Sequence, residues 1–414
     1  MKDISLSLRS LAARKLASLL AVLLTAFGVM MALVVMQFTA AVQERLARDG
    51  SGIDIVVGAK GSPLQLVLSA LYHADVPSGN IPYAEAQKWM QHPQVRAAYP
   101  LALGDNWRGF RIVGTTVDYA RHYGAEVAEG RFWQKPFEAV AGADSGLTPG
   151  ARFTGAHGLT EGGHHHDAHA YTVVGTLKPT GSVVDRLILT SLDSVLELHG
   201  QSLHAHHDDD DDGDGEGDEE HEHHDDAHAH GHVHSAADIT AILIKTSGPI
   251  ANINLPRSIN QSSALIAANP ALEMARLSAV FGVGTRTLGL ISAFLIALAA
   301  LGIFAGIAGS LENRQADLAV LRALGYTPLR LFRIVLYEGV FLAACGLALG
   351  LALGIGGYGL AVGHLPALAH GAAAGFQVSW AWLSAAVLFA GLLASALPAL
   401  RAARTAPADM LSLR

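Results

Sequence analysis

Cysteine is nearly absent from this chain of 414 residues: the single one, Cys345, lies in an apolar run. A disulfide framework is therefore excluded, even for a part of the chain that faces an oxidising compartment. Charged residues are also scarce, at 15%, whereas 51% of the chain is hydrophobic and the mean hydropathy is +0.32. This balance is unusual for a soluble globular protein and typical of a membrane protein that carries a polar domain.

Several functional motifs are missing as well. The phosphate-loop pattern GxxxxGK[ST] does not occur, and residues 57–63 (VGAKGSP) match it only in part. No Ser/His/Asp arrangement has the spacing of a hydrolase family, and no basic stripe alternates with aromatic residues. The sequence therefore predicts a non-catalytic chain that has no intrinsic cofactor and no nucleic-acid partner.

The formal net charge of −8 comes from one tract. Residues 208–226 contain 13 of the 36 acidic side chains and neither lysine nor arginine. Outside that tract the 28 basic residues outnumber the remaining acids. The acidity is thus local and says nothing about the partners of the rest of the chain.

Four apolar runs are long enough to cross a bilayer, which takes roughly 20 residues. They predict a membrane α-helical fold with four transmembrane helices and a large α+β extracytoplasmic domain inserted between helices 1 and 2. The predicted order is an N-terminal amphipathic helix at 1–15, spans at 16–38, 287–310, 336–362 and 380–400, the insert at 39–286, a cytoplasmic segment at 311–335, an outer loop at 363–379 and a tail at 401–414.

The short loops orient these spans. Basic residues precede the first span, separate the second from the third and follow the fourth, whereas the loop 363–379 has neither lysine nor arginine. The positive-inside rule then places both termini and the segment 311–335 in the cytoplasm. We therefore expect a multi-pass protein of the bacterial inner membrane with its insert in the periplasm.

The insert contains enough apolar residues for a core of its own. Segments rich in β-branched residues predict strands, and two segments predict helices. The predicted strands are 53–57, 110–115, 171–177, 187–190 and 239–245, and the predicted helices are 191–199 and 255–268.

Histidine is concentrated in the insert: sixteen of the 21 histidines fall between His157 and His234. Imidazole with nearby carboxylates suits Zn²⁺ and related transition metals, although no fixed four-ligand spacing is present. The polar segment near 200–236 is expected to be disordered without metal. Two interpretations remain open, weak multi-site Zn²⁺ capture and a solvated insertion with no role. The predicted ligands are His164, His165, His166, His169, His204, His206, His207, His221, His223, His224, His228, His230, His232 and His234.

The cytoplasmic segment has the pattern of a short amphipathic helix. Leu318, Leu321 and Leu324 recur at intervals of three, Gly325 is placed to end the helix, and Thr327-Pro328 begins the next one. By itself, this pattern fits either a linker at the lipid surface or a docking element.

The same residues resemble the FtsX-like permease domain of MacB-type (type VII) ABC transporters and of lipoprotein-releasing permeases. The likeness rests on Glu312, Arg314, Asp317 and the run Leu321-Arg322-Ala323-Leu324-Gly325, and on the terminal Pro398-Ala-Leu-Arg401-Ala-Ala-Arg404. The basic segment before the first span and the order of one span, a large domain and three spans are also similar to that family.

The resemblance implies a homodimeric permease subunit that binds a separate cytoplasmic ABC ATPase through Glu312, Arg314, Asp317, Leu321, Arg322, Leu324 and Gly325. ATP hydrolysis on the partner would move the spans and the outer domain, a mechanism called mechanotransmission. With the histidine tract, this predicts zinc handling or export of a lipoprotein or another substrate, with a periplasmic metal-binding protein or lipoprotein as partner. Two alternatives stay open: a non-transporting transducer that activates a periplasmic enzyme, and a passive metal store or sensor.

Overall fold

The computed structural model describes residues 15–157, 170–198, 201–202, 235–313, 320, 322, 324–364 and 378–404. The chain divides into two compact units. We call residues 1–44 with 278–414 the membrane unit and residues 45–277 the outer unit. The predicted N-terminal helix, most of the loop 363–379 and the tail after residue 404 lie outside the described residues.

The described helices and strands have the following bounds. The helices are α1 (Lys15–Asp49), α2 (Pro63–Ala70), α3 (Tyr83–Met90), α4 (Val117–His122), α5 (Leu192–Leu198), α6 (Pro249–Ser262), α7 (Pro270–Asn313), α8 (Pro328–His364) and α9 (Val378–Arg404). The strands are β1 (Ile55–Ala59), β2 (Ile81–Pro82), β3 (Val95–Trp107), β4 (Phe110–Thr115), β5 (Val127–Gly130), β6 (Glu138–Ala141), β7 (Arg152–Phe153), β8 (Ala156–His157), β9 (Tyr171–Leu177), β10 (Leu187–Ser191), β11 (Gln201–Ser202), β12 (Ser235–Ala236), β13 (Asp238–Ile239), β14 (Ala241–Thr246) and β15 (Leu265–Ala268).

Four of these helices, α1, α7, α8 and α9, are long and apolar enough to cross a membrane, which confirms the predicted architecture. Two of them extend well past their apolar runs: α1 has 35 residues and α7 has 44. At 1.5 Å per residue they measure about 50 and 65 Å, against a hydrocarbon core of about 30 Å. Each of these two helices therefore contains residues of both units.

Glycines spaced by four residues let α8 approach α1 closely. A Cβ added at Gly346, Gly350 or Gly354 would lie 2.5 to 2.6 Å from a side-chain atom of Thr25, Val29 or Leu33. Small residues at such positions are what close helix packing in a membrane requires. This glycine ridge therefore packs inside the membrane unit.

The outer unit is built on one mixed sheet. Its strands lie in the order β15-β1-β14-β3-β4-β10-β6-β9-β5, with β7 paired to β9 and β8 paired to β3. Only the β10–β4 and β6–β9 pairs of this sheet are parallel among the strands described. Large apolar clusters cover the sheet, and one of them is built on Val56, Leu101, Val113, Leu189 and Leu243.

The burial of the strands explains why the sequence pattern predicted them. Along β9, buried and half-buried positions alternate, whereas β14 is buried at nearly every position because it lies inside the sheet and is covered on both sides. Together with the helices beside it, this sheet confirms the predicted α+β domain.

One helix prediction for the insert is wrong. The predicted helix 255–268 is instead the second half of α6, which ends at Ser262, followed by strand β15. Strand β15 pairs with β1 in antiparallel orientation, with Ala268 opposite Val56 and Leu265 opposite Ala59. The Asn260 side chain also bonds to both backbone groups of Ala267, at 2.7 and 3.2 Å. Pairing between distant segments therefore overrides the local helical preference.

Candidate functional site

The predicted ATPase-coupling residues are described only in part. Glu312 lies in the last turn of α7, and the placement of its side chain is not described. Arg314, Asp317 and Leu321 lie outside the described residues, whereas Arg322, Leu324 and Gly325 are described. The structure therefore describes the geometry at the end of the segment, and the docking role of all seven residues stays a prediction.

Two apolar side chains of this segment are exposed. Val320 has 57% of its surface accessible and Leu324 has 72%. The Leu324 amide donates to the Val320 carbonyl at 2.9 Å, so the two residues are one helical turn apart and share a face. This turn lies between two membrane-capable helices and presents apolar surface that the described residues leave uncovered.

The turn then stops at a glycine. Gly325 has a φ of +93°, and its amide donates to the Arg322 carbonyl at 3.0 Å. A residue with a side chain is strained at such a positive φ, so glycine suits the position. Helix α8 begins three residues later, where the Thr327 carbonyl accepts from the amides of Arg330 and Leu331. The exposed turn is therefore joined to α8 by a short connection.

Basic side chains flank the turn. Arg322 is half-buried, and its Nη1 atom has no hydrogen-bond partner among the described residues. The Arg330 guanidinium lies over the Tyr326 ring, with its Cζ atom 4.3 Å from the ring centroid. A partner that docks here would therefore meet an apolar turn with positive charge beside it.

None of the fourteen predicted metal ligands is among the described residues, because they all fall in 158–169 or 203–234. Within the described part of the chain, no group of three or more His, Cys, Asp or Glu side chains is arranged to hold a metal. The metal site therefore remains a prediction from sequence.

The residues that flank 203–234, the segment with ten of the fourteen predicted ligands, are described, and they are fixed to the outer unit. Strands β11 and β12 pair in parallel, with Gln201 opposite Ser235 and Ser202 opposite Ala236. The Tyr83 amide donates to the Ala237 carbonyl at 2.9 Å, and β13 pairs with β2. The described residues on either side of 203–234 therefore lie next to each other on the outer unit.

A second cluster, which the sequence did not reveal, surrounds the carboxyl end of α1. The Tyr72 hydroxyl donates to the Leu46 carbonyl at 3.1 Å, and the Tyr123 hydroxyl donates to the Asp49 carbonyl at 3.0 Å. The His122 Nε2 atom lies 3.0 Å from the Ser51 carbonyl. The Tyr123 contact satisfies a carbonyl that a helix end otherwise leaves unpaired, whereas Tyr72 adds a second bond to the Leu46 carbonyl, which also accepts from the Gly50 amide at 3.0 Å.

Burial sets the electrostatics of this cluster. It raises the pKa of the Asp49 carboxyl, and the nearby Arg45 guanidinium, 3.7 Å away, lowers it by less. Burial also lowers the pKa of Arg186, and Arg45 adds to that shift. Burial lowers the pKa of His122, and its contacts fit the neutral ring, with Nε2 donating to Ser51 and Nδ1 3.4 Å from the hydroxyl of Tyr99.

Comparisons with known proteins match both units. A sequence model described as FtsX-like permease C-terminal matches residues 289–407, and one described as MacB-like periplasmic core domain matches residues 18–213. No curated protein matches the chain.

Two solved structures are similar to about half of the chain. The periplasmic region of MacB from Actinobacillus actinomycetemcomitans is 11% identical, with a TM-score of 0.31, over 55% of this chain and 95% of its own. The extracellular domain of the noncanonic ABC-type transporter YknZ from Gram-positive bacteria is 11% identical, with a TM-score of 0.29, over 52% of this chain and 99% of its own.

Proposed function

The chain belongs to the FtsX-like permeases that carry a MacB-like periplasmic core domain, and from this premise we propose that it is the membrane subunit of an ABC transporter whose ATPase is a separate chain. ATP binding and hydrolysis by that partner drive the membrane helices, and the motion reaches the outer unit by mechanotransmission. The subunit itself is non-catalytic and lies in a bacterial inner membrane with its outer unit in the periplasm.

The observation that carries this proposal is the exposed turn Val320–Leu324 between α7 and α8. An apolar surface of this kind, flanked by arginines, suits a groove on a cytoplasmic protein. Glu312, Arg314, Asp317 and Leu321 complete the docking segment. Because Gly325 ends the turn just before α8, a push on the turn acts directly on a membrane-spanning helix.

Co-purification tests the proposal. We expect an ABC ATPase to co-purify with the full chain, and we expect Glu312→Lys, Arg322→Glu or Leu324→Ser to reduce its recovery. Leu272→Ser is the matched control, because Leu272 is also exposed, at 52%, but lies in the outer unit. Undiminished recovery with all three variants would contradict the docking role, and recovery lost equally in the control would point to a general defect.

We also propose that the predicted ligands in residues 164–169 and 204–234 bind Zn²⁺ on the periplasmic face, as cargo or as a signal. Ten histidines and thirteen carboxylates within residues 204–234 provide nitrogen and oxygen ligands. The paired flanks β11 and β12 support this proposal, since they bring the two ends of the ligand-rich segment together on the outer unit. A periplasmic metal-binding protein or a lipoprotein is the partner that this arrangement suits.

Titration of the full chain with ZnCl2 tests the metal proposal. Replacing the ten histidines of 204–234 by asparagine should abolish most of the binding, whereas replacing the thirteen acids by their amides should weaken it less. Equal binding by wild type and the asparagine variant would contradict the proposal. If Zn²⁺ then leaves ATP turnover by the partner unchanged, lipoprotein export or activation of a periplasmic enzyme would be favoured over zinc transport.

The subunit is further proposed to work as a homodimer, with α7 at the contact. Helix α7 is the least buried of the four spans: 22% of its most apolar stretch is buried, against 33 to 39% in the other three. A Cβ at Gly302 or Gly306 would meet nothing within 4 Å among the described residues. A small-xxx-small face on which the described residues leave room for an added Cβ suits a second copy.

A further inference from the structure

The connection between α1 and the outer sheet is short and rich in glycine. Helix α1 ends at Asp49, and Gly50-Ser51-Gly52 leads toward strand β1, with Gly52 at a φ of +76°. Two glycines in three residues are typical of a flexible joint. A flexible joint at this point would uncouple the first membrane helix from the outer unit.

The structure instead encloses this joint with side chains from distant parts of the outer unit. Tyr72 follows helix α2 and donates to the carbonyl of Leu46, 26 residues away. Tyr123 follows helix α4 and donates to the carbonyl of Asp49, 74 residues away. Arg48 reaches in the opposite direction, from α1 to the Gly181 carbonyl, at 3.0 Å. We call Tyr72, His122, Tyr123 and Arg48 the α1 clamp.

The two glycines are fitted to the clamp. A Cβ at Gly50 would lie 2.8 Å from the Tyr72 hydroxyl oxygen, and a Cβ at Gly52 would lie 2.8 Å from the His122 Cε1 atom. Real Cβ atoms essentially never approach that closely. The glycines therefore allow the two rings to contact the chain directly, so that the joint is held rather than free.

The clamp is anchored in the core of the outer unit. The Tyr123 ring is 5.3 Å from Tyr119, which is fully buried, and 4.9 Å from His122. Tyr72 and Tyr119 belong to the apolar cluster that includes Val113 and Leu189 of the central strands. A displacement of the end of α1 therefore acts on the sheet through packed aromatic rings.

We propose that the α1 clamp is the point at which movement of the first membrane helix enters the outer unit, with Tyr72 and Tyr123 as its principal positioning residues. This inference rests on the proposed mechanotransmission function, and it names the residues through which that function passes. The clamp makes α1 and the central sheet move together, despite the glycine joint between them.

Hydrogen exchange of the full chain in nanodiscs tests the clamp itself. In Tyr72→Phe the Leu46 carbonyl keeps only its bond from the Gly50 amide, at 3.0 Å, and in Tyr123→Phe the Asp49 carbonyl loses the bond from the tyrosine hydroxyl. Amide exchange over residues 46–53 should therefore rise about fivefold or more per substitution. Tyr83→Phe is the control, since Tyr83 packs in a different apolar cluster. Unchanged exchange over residues 46–53 in the double variant would contradict the proposal, while unchanged exchange over 187–191 establishes that the sheet is still folded.

Coupling is tested with the ABC ATPase that co-purifies with the chain, by comparing exchange in the outer unit in ATP-bound and ADP-bound complexes. We expect a nucleotide-dependent difference over residues 110–115 and 187–191 in the wild type, and less than half of it in Tyr72→Phe/Tyr123→Phe, with ATP turnover retained. The same difference in both proteins would overturn the clamp proposal alone. No difference in the wild type would overturn the proposed function, and the clamp proposal with it.

Discussion

Replacing Leu324 by serine should weaken ATPase binding without affecting the fold of the chain. Leu324 is 72% exposed, so its side chain contributes little to folding, and surface substitutions usually change stability by less than about 0.5 kcal/mol. Fully burying a leucine side chain is worth roughly 1.5–3 kcal/mol. Because about three-quarters of that burial is available to a partner, the serine variant should lose about 1–2 kcal/mol of binding free energy, or roughly 5- to 30-fold in Kd.

The assay is a titration of the purified ATPase with nanodisc-embedded permease, with stimulated ATP turnover as the signal. Leu324→Ser should shift the half-saturating permease concentration upward by that factor and leave the turnover at saturation near the wild-type value. Leu272→Ser, which removes a similarly exposed leucine in the outer unit, should leave the curve unchanged. A Leu324→Ser curve within twofold of the wild type would refute the argument that this turn is buried by the ATPase.

Three further predictions follow from described residues. Gly306→Ile should reduce the dimer fraction in detergent while the chain stays folded, whereas Gly350→Ile should disturb folding because α1 fills the space beside Gly350. An unchanged dimer fraction in Gly306→Ile would place the contact elsewhere. Burial and nearby Arg111 lower the pKa of His73 in the folded chain. The unfolded state therefore binds more protons than the folded state below pH about 6.5, and the outer unit should lose up to about 1.4 kcal/mol of stability for each unit by which the pH falls below that value. His73→Gln should flatten that pH dependence in thermal unfolding, and an identical slope would refute the assignment. Tyr171→Phe should be neutral or stabilising by about 1 kcal/mol, because the hydroxyl is buried without a partner among the described residues; a marked loss of stability would reveal a bond to it.

The features that the sequence predicts well are those written in local patterns. Four apolar runs indicated the four spanning helices, and β-branched segments indicated β4 and β9 at the bounds that the structure has. Strand β15 was missed because its identity depends on pairing with β1, some 200 residues earlier, and its own composition suits a helix equally well.

The α1 clamp was also beyond the reach of sequence patterns. Tyr72 and Tyr123 are separated by 26 and 74 residues from the carbonyls that they bind, and no local motif marks either of them. The one local signal was the pair Gly50 and Gly52, which by itself favours a flexible turn. Only the folded arrangement distinguishes a held joint from a free one.

Site-specific photo-crosslinking from position 324 in living cells tests the central claim most directly. With a photoreactive residue in place of Leu324, the account predicts a crosslinked product that contains an ABC ATPase, and no such product when the same residue replaces Leu272. A product lacking any ATPase at position 324, or the same ATPase product from both positions, would contradict the claim that a separate ATPase docks on the turn between α7 and α8.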